Sequence, residues 1–155
     1  MDIYLAFKTL HILSATILFG TGIGIAFFMF RSRYMDDIQG KYYVSHNTVL
    51  ADYFFTLPAA ITQPVTGIFL ITRGGFNWQD NWLVASYCLY LIAALCWIPV
   101  VFIQIRMKEI LRECVNKHTE LPANYHSLFK LWFWLGWPAF LGLLVIFYMM
   151  VFKPI

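Results

Sequence analysis

Four apolar runs, Tyr4 to Phe30, Val49 to Thr72, Trp82 to Ile105 and Leu128 to Phe152, occupy most of this chain. Each is long enough to cross a hydrocarbon core ~30 Å thick, which takes about 20 helical residues. In lipid a backbone must satisfy its own hydrogen bonds, so runs of this kind cross as helices. The expected fold is therefore all-α, a four-transmembrane-helix bundle forming one integral membrane domain over residues 1–155. Composition agrees: 61% of the residues are hydrophobic and only 12% charged, far from the soluble average. The short connections leave room for almost no extramembrane domain.

The first run lacks a preceding basic region and a small-residue cleavage pattern, so it reads as a retained span and not as a signal peptide. Cys88, Cys96 and Cys114 are odd in number and widely spaced. They suggest neither a disulfide framework nor a zinc site. Arg31, Arg33 and Lys41 follow the first run, and Arg106, Lys108, Arg112, Lys117 and Lys130 surround the third connection. The second connection offers Arg73 alone, and the ends offer Lys8 and Lys153. Cytoplasmic loops are enriched in Lys and Arg. The expectation is a bacterial inner (cytoplasmic) membrane protein, multi-pass, with both termini periplasmic. The net charge of +3 is explained by anionic headgroups and needs no nucleic acid.

The segments Arg31 to Asn47 and Met107 to Ser127 read as surface helix ends and turns. Glu109 and Glu113 alternate with Lys108 and Arg112 as on a solvated helix. His118 and His126 read as exposed loop side chains, and His46, nearer a membrane entrance, as that or as a peripheral ligand. Asp52 reads as a helix cap or a partner of a nearby Arg.

Inside the spans, polar residues are costly unless they face the bundle interior. At about 100° per residue, the first span places Tyr4, His11, Ala15, Leu18, Gly22 and Ala26 on one face. The second aligns Asp52, Thr56, Ala59, Gln63, Thr66 and Gly67, and the third Ser86, Tyr90, Ala93, Trp97 and Gln104. Such seams are what packed membrane helices need, and they can also line a pocket. Gly20 and Gly24, at GxxxG spacing on the other side of the first span, suit a second interface in a homo-oligomer. Pro58, Pro64, Pro99 and Pro138 should bend their helices and open space. Trp132, Trp134 and Trp137 read as an interfacial belt or as a wall for a flat ring. Met149 and Met150 read as packing.

His11 is the residue that most needs a reason. A neutral imidazole among apolar side chains is the usual axial donor to haem iron, and it may equally be tied to Gln63, Ser86 or Tyr90 across the bundle. The candidate cofactor-binding set is His11, Gln63, Ser86, Tyr90 and Trp97, with His11 the only metal ligand and haem b the cofactor. Partners in keeping with it are the lipid bilayer and a porphyrin or quinone-type small molecule.

Over nearly the whole chain, "LHILSATILFGTGIGIAFFMFRSR", "VLADYFFTLPAAITQPVTGIFLITRGGF" and "WLVASYCLYLIAALCWIPVVFIQIRM" resemble a family of small bacterial integral membrane proteins of unknown function. More distantly, "KTLH" in the first span, the tryptophan-led third span and the terminal "KP" resemble the HemJ membrane protoporphyrinogen oxidases. That resemblance implies a four-helix haem b protein with His11 as ligand. HemJ-type sequences carry a functional lysine early in the span that begins "WL", where this chain has Ser86. The resemblance thus implies haem binding more directly than it implies the oxidase activity. The resulting expectation is a membrane b-type haem protein in electron transfer or porphyrinogen oxidation, possessing one histidine ligand and a sixth position that is open, shared with a second His11, or filled by Met149 or Met150. The competing expectation is a non-redox transporter subunit or assembly partner, built around Asp52, Gln63 and the proline-broken second span.

Overall fold

The structure, a computed structural model, describes residues 2–154 and contains no strand among them. Its elements are α1 (Ile3–Ser32), α2 (Ile38–Ala51), a π-helical turn (Asp52–Thr56), α3 (Leu57–Gly74), α4 (Asn81–Lys117) and α5 (Ala123–Phe152). The second, third and fourth of these run on as one rod of 37 residues, Ile38–Gly74. Among the described residues there are thus four helical rods long and apolar enough to cross a membrane.

The rods are longer than the apolar runs. Segments read as surface helix ends and turns are mostly helical: α2 precedes the second span without a break, and α4 continues to Lys117. Local chemistry sets the true ends. The Asp37 carboxylate accepts from the amides of Gln39 and Gly40 at 3.0 and 2.8 Å and starts α2. Gly75, at φ 71°, stops α3 in the left-handed conformation that costs glycine little. His118 takes the same conformation, φ 52°, at the end of α4, and Pro122 stands at the N-cap of α5.

These extensions bury more than the composition suggests. Met29, Met107 and Leu111 are fully buried together with Ile103, Ile110, Cys114, Tyr125, Phe129 and Trp132. They form a core at the end of the bundle that carries Arg31, Arg33, Arg106, Lys108, Arg112 and Lys117. The expectation of surface helix ends and turns holds for the helical extension of α4, and what it missed is burial: the basic end is a packed helical head. Glu109 bridges Lys108 at 3.2 Å and also pairs with Arg112, as a solvated helix surface should.

At the opposite end a smaller cluster joins Ile71, Trp82 and Leu83 to Phe76, Met149 and Met150. The Lys153 ammonium stands 4.5 Å above the Phe76 ring. Between the two ends, α1 lies along α3 and α4 lies along α5, while α3 and α4 scarcely touch. The pairs are joined mainly where α2 packs on α4 and on α1. Phe19 adds an aromatic link, 5.5 Å from Phe140 and 5.2 Å from Phe147. Large apolar residues such as Phe28, Phe54 and Val151 point outward, as a surface solvated by lipid requires.

The π-helical turn has an identifiable cause. Pro58 has no amide hydrogen and its ring crowds the carbonyl four residues earlier, on Phe54. The turn just before it widens, and the Leu57 amide donates to the Asp52 carbonyl, five residues back. This extra residue per turn rotates Asp52 and Thr56 inward, where they are 2% and 4% exposed, while Tyr53, Phe54 and Phe55 face out.

The head core generates a stability prediction. Leu111→Ala should leave a cavity and cost about 2–5 kcal/mol, read as a lowered thermal midpoint in detergent. The lipid-facing Phe54→Ala should move that midpoint far less.

Candidate functional site

His11 sits in α1 facing α3, half-buried, with Nδ1 2.7 Å from Oγ1 of Thr66. The Thr66 hydroxyl has a single proton, and its own contacts commit that proton to main-chain carbonyls, Thr62 at 2.7 Å or Gln63 at 3.2 Å. Thr66 therefore accepts from the ring, and the imidazole carries its proton on Nδ1. In the neutral ring this leaves Nε2 with a bare lone pair. Gly67 stands against the ring edge, where a Cβ would make ordinary van der Waals contact with Cε1 at 3.5 Å.

Gln63 is brought to His11 as expected, but it binds the main chain and not the ring. Its Nε2 donates to the His11 carbonyl at 2.7 Å and to the Ser14 hydroxyl at 2.6 Å, and Ser14 donates to the His11 carbonyl at 3.1 Å. The α1–α3 seam is thus held by a network that would survive loss of the imidazole. Sequence reasoning passed over Ser14, and it placed Thr66 on the seam without naming it as the partner of His11. Thr66 shares its helix face with Gln63, and an intramembrane Thr on the seam opposite a lone His was the available signal.

A second buried polar group lies toward the basic end. Asp52 is held between the π-helical turn and α4, and with the Gln104 amide turned so that its nitrogen faces the carboxyl, the orientation that satisfies both its neighbours, Oδ2 accepts from that nitrogen at 2.5 Å. The Gln104 side-chain oxygen in turn accepts from the Trp132 indole at 3.1 Å. Trp97 and Thr56 stand beside the same carboxyl, yet Asp52 Oδ1 and Thr56 Oγ1 have no partner at hydrogen-bonding geometry. Asp52 is therefore neither a helix cap nor a partner of an Arg, and Trp132 is neither belt nor stacking wall. The carboxyl lies 14 residues from Thr66 along one rod, about 21 Å at 1.5 Å per residue.

A family model described as "Predicted integral membrane protein (DUF2269)" matches residues 5–154. The chain belongs to the DUF2269 family. No curated protein and no solved structure matches it.

The remaining candidate residues of this DUF2269 protein separate in space. Trp97 belongs to the Asp52 group. Ser86 is buried and donates to the Trp82 carbonyl of its own helix at 2.7 Å. Tyr90 reaches from α4 to the Ala60 carbonyl of α3 at 2.5 Å, and the reason is covalent. Pro64 lacks the amide that would have bonded Ala60, four residues earlier, and Tyr90 supplies the missing donor. His46 lies in α2, 20 residues before Thr66 on the same rod and about 30 Å away, too far to share a ligand with His11. Met149 and Met150 pack on the Trp82 cluster. Among the described residues no three His, Cys, Asp or Glu side chains gather as a metal site, so His11 stands as a single donor.

The pairing of Tyr90 with Pro64 is testable by a double-mutant cycle. Tyr90→Phe should destabilise the protein by about 1–3 kcal/mol, the cost of an orphaned buried carbonyl. In a Pro64→Ala background, where the helix supplies its own donor, the same change should cost well under half as much.

Proposed function

We propose that this DUF2269 protein is a membrane b-type haem protein of the bacterial inner membrane, acting in electron transfer or porphyrinogen oxidation, with His11 as an axial ligand. The observation that carries the reading is the state of the imidazole. Its Nδ1–H is anchored by Thr66, and its Nε2 lone pair is left without a hydrogen-bond partner inside a membrane span. Metal-binding histidines are held in this way, by a hydrogen bond from the other ring nitrogen that fixes tautomer and orientation. Packing needs no such arrangement here, because Gln63 and Ser14 already join the two helices through main-chain oxygen.

The surroundings suit a large flat apolar ring. Small residues follow His11 along its face, and α1 makes few contacts with α5 while α3 and α4 scarcely touch. Lys8, one turn before His11, and Arg73, two turns beyond Thr66, bring positive charge to the same end for propionate groups. When bound, haem supplies one-electron chemistry at its iron. The protein's part is to present Nε2, hold its proton on the other nitrogen, and keep water away with the apolar span. The distant HemJ likeness supports the same reading through "KTLH", and Ser86 in place of the lysine weighs toward electron transfer over the oxidase reaction.

In this reading both termini face the periplasm and the packed basic head lies in the cytoplasm, as the Lys and Arg distribution requires. Gly20 and Gly24 have open space above them and suit contact with a second copy of the chain.

Two outcomes test the proposal. Protein expressed with ample haem and isolated in mild detergent should show a Soret band that His11→Ala abolishes while insertion persists. Thr66→Val should weaken haem affinity by about 10–100-fold, the usual cost of removing a ligand's supporting partner, and Ser86→Ala should leave it unchanged. Colourless wild-type protein would return His11 to packing, with a cost on removal near 1 kcal/mol, and would favour the non-redox reading. Separately, reporter fusions at the C-terminus should be active in the periplasm and silent in the cytoplasm.

A further inference from the structure

A recess of about 320 Å³ lies at the end of the bundle opposite the basic head, where the α3–α4 connection meets the end of α5. Gln79, Asp80, Asn81, Trp82, Lys153 and Pro154 line it, so it holds one negative and one positive side chain. Lys153 ends α5 in the left-handed conformation, φ 43°, and its amide donates to the Met149 carbonyl at 2.9 Å. That turn lays the ammonium on an aromatic floor, 4.5 Å from the Phe76 ring and 5.5 Å from the Trp82 ring. Asp80 stands at the N-cap of α4, yet its carboxylate makes no cap hydrogen bond. Among the described residues neither Asp80 nor Lys153 forms an ion pair. Asn81 opens the third rod and Lys153 follows the last helical residue of the fourth, which sets the recess where the chain leaves the hydrocarbon. Trp78 and Tyr87, both exposed and with ring centroids 6.3 Å apart, mark the same level as interfacial aromatics do.

We propose that this recess binds the headgroup of a zwitterionic phospholipid of the ethanolamine type, with its phosphate at Lys153 and its primary ammonium at Asp80. Ligand sites run from about 300 to 1,000 Å³, and a recess at the small end of that range suits a short headgroup. Two opposite charges that face one recess without pairing match a guest that carries both. An anionic lipid would bring its phosphate to Lys153 and leave Asp80 with a like charge for company. A choline headgroup has no N–H for the carboxylate, and Lys153 already occupies the aromatic faces that would hold a quaternary ammonium. A soluble zwitterion shares the headgroup chemistry, but the position at the membrane boundary favours a guest anchored by its acyl chains. The terminal Lys153 and Pro154 thereby acquire a role that haem at His11 does not supply.

The test uses the full chain in mild detergent, with short-chain dioctanoyl lipids as probes and native mass spectrometry as readout. Dioctanoyl phosphatidylethanolamine should bind saturably, and about tenfold more tightly than the choline and glycerol lipids of the same chain length, the worth of one charge-assisted hydrogen bond. Asp80→Asn should erase the preference over choline. Lys153→Gln should instead weaken the ethanolamine and choline lipids alike, about fivefold, the worth of one lysine at a phosphate surface, and Lys153→Arg should restore the binding. A merely structural role would not split the two residues in this way. His11→Ala should bind the lipid as wild type does, so colourless protein leaves this result intact. Equal binding of the three lipids, or a preference that survives Asp80→Asn, would overturn the proposal. Free phosphoethanolamine binding as tightly as the lipid would also overturn it and make the guest a soluble zwitterion.

Discussion

Proline in a membrane span leaves a carbonyl without its donor, and in lipid that carbonyl has no water to turn to. Much of this bundle follows from how the second rod meets that demand twice. At Pro58 the helix answers from within, widening into a π-helical turn that swings Asp52 and Thr56 toward α4. At Pro64 it answers from outside, taking the hydroxyl of Tyr90 across the gap between helix pairs. One substitution of backbone chemistry thus fixes a rotation, the other a cross-link. Together they set where α4 stands relative to α3, although those two helices otherwise scarcely meet.

The two buried polar groups differ in how they are satisfied, and the difference bears on what each can do. Around His11 the hydrogen bonds of Thr66, Gln63 and Ser14 hold the helices together and leave the ring's Nε2 lone pair on offer. Around Asp52 the partners come from two other rods, through Gln104 and Trp132, and two oxygens are still left over. The first arrangement is an anchored ligand beside an independent seam. The second is a structural joint between the second, third and fourth rods, closed off from the lipid-facing surface.

Hydropathy alone made the four spans legible, because each run exceeds what a bilayer needs. It also showed the seam bearing His11, Gln63 and Thr66, since period and polarity coincide there. The core of the basic head was not legible: its residues, such as Met107, Leu111 and Cys114, alternate with charges, so the extension of the third span read as a solvated helix with no buried face. Asp52 was misread for a related reason. A carboxylate near the start of an apolar run looks like a cap unless the helix is known to continue behind it, and α2 supplies that continuation. Tyr90 could not be assigned from its own helix at all, because its partner is made by a proline on another.

The joining of the rods has a mechanical consequence. Both helix pairs are gripped together at the basic head, where α2 packs on α4 and the core is densest. Toward the far end they are linked by Tyr90, the Phe19 cluster and the small group around Trp82. The molecule is built as a pair of tweezers, with its pivot at the head and its jaws at the opposite membrane face. Any angle between the helix pairs set at the head is magnified along rods of 30 to 37 residues, so Tyr90, Phe19 and the Trp82 group carry the leverage that holds the far ends together.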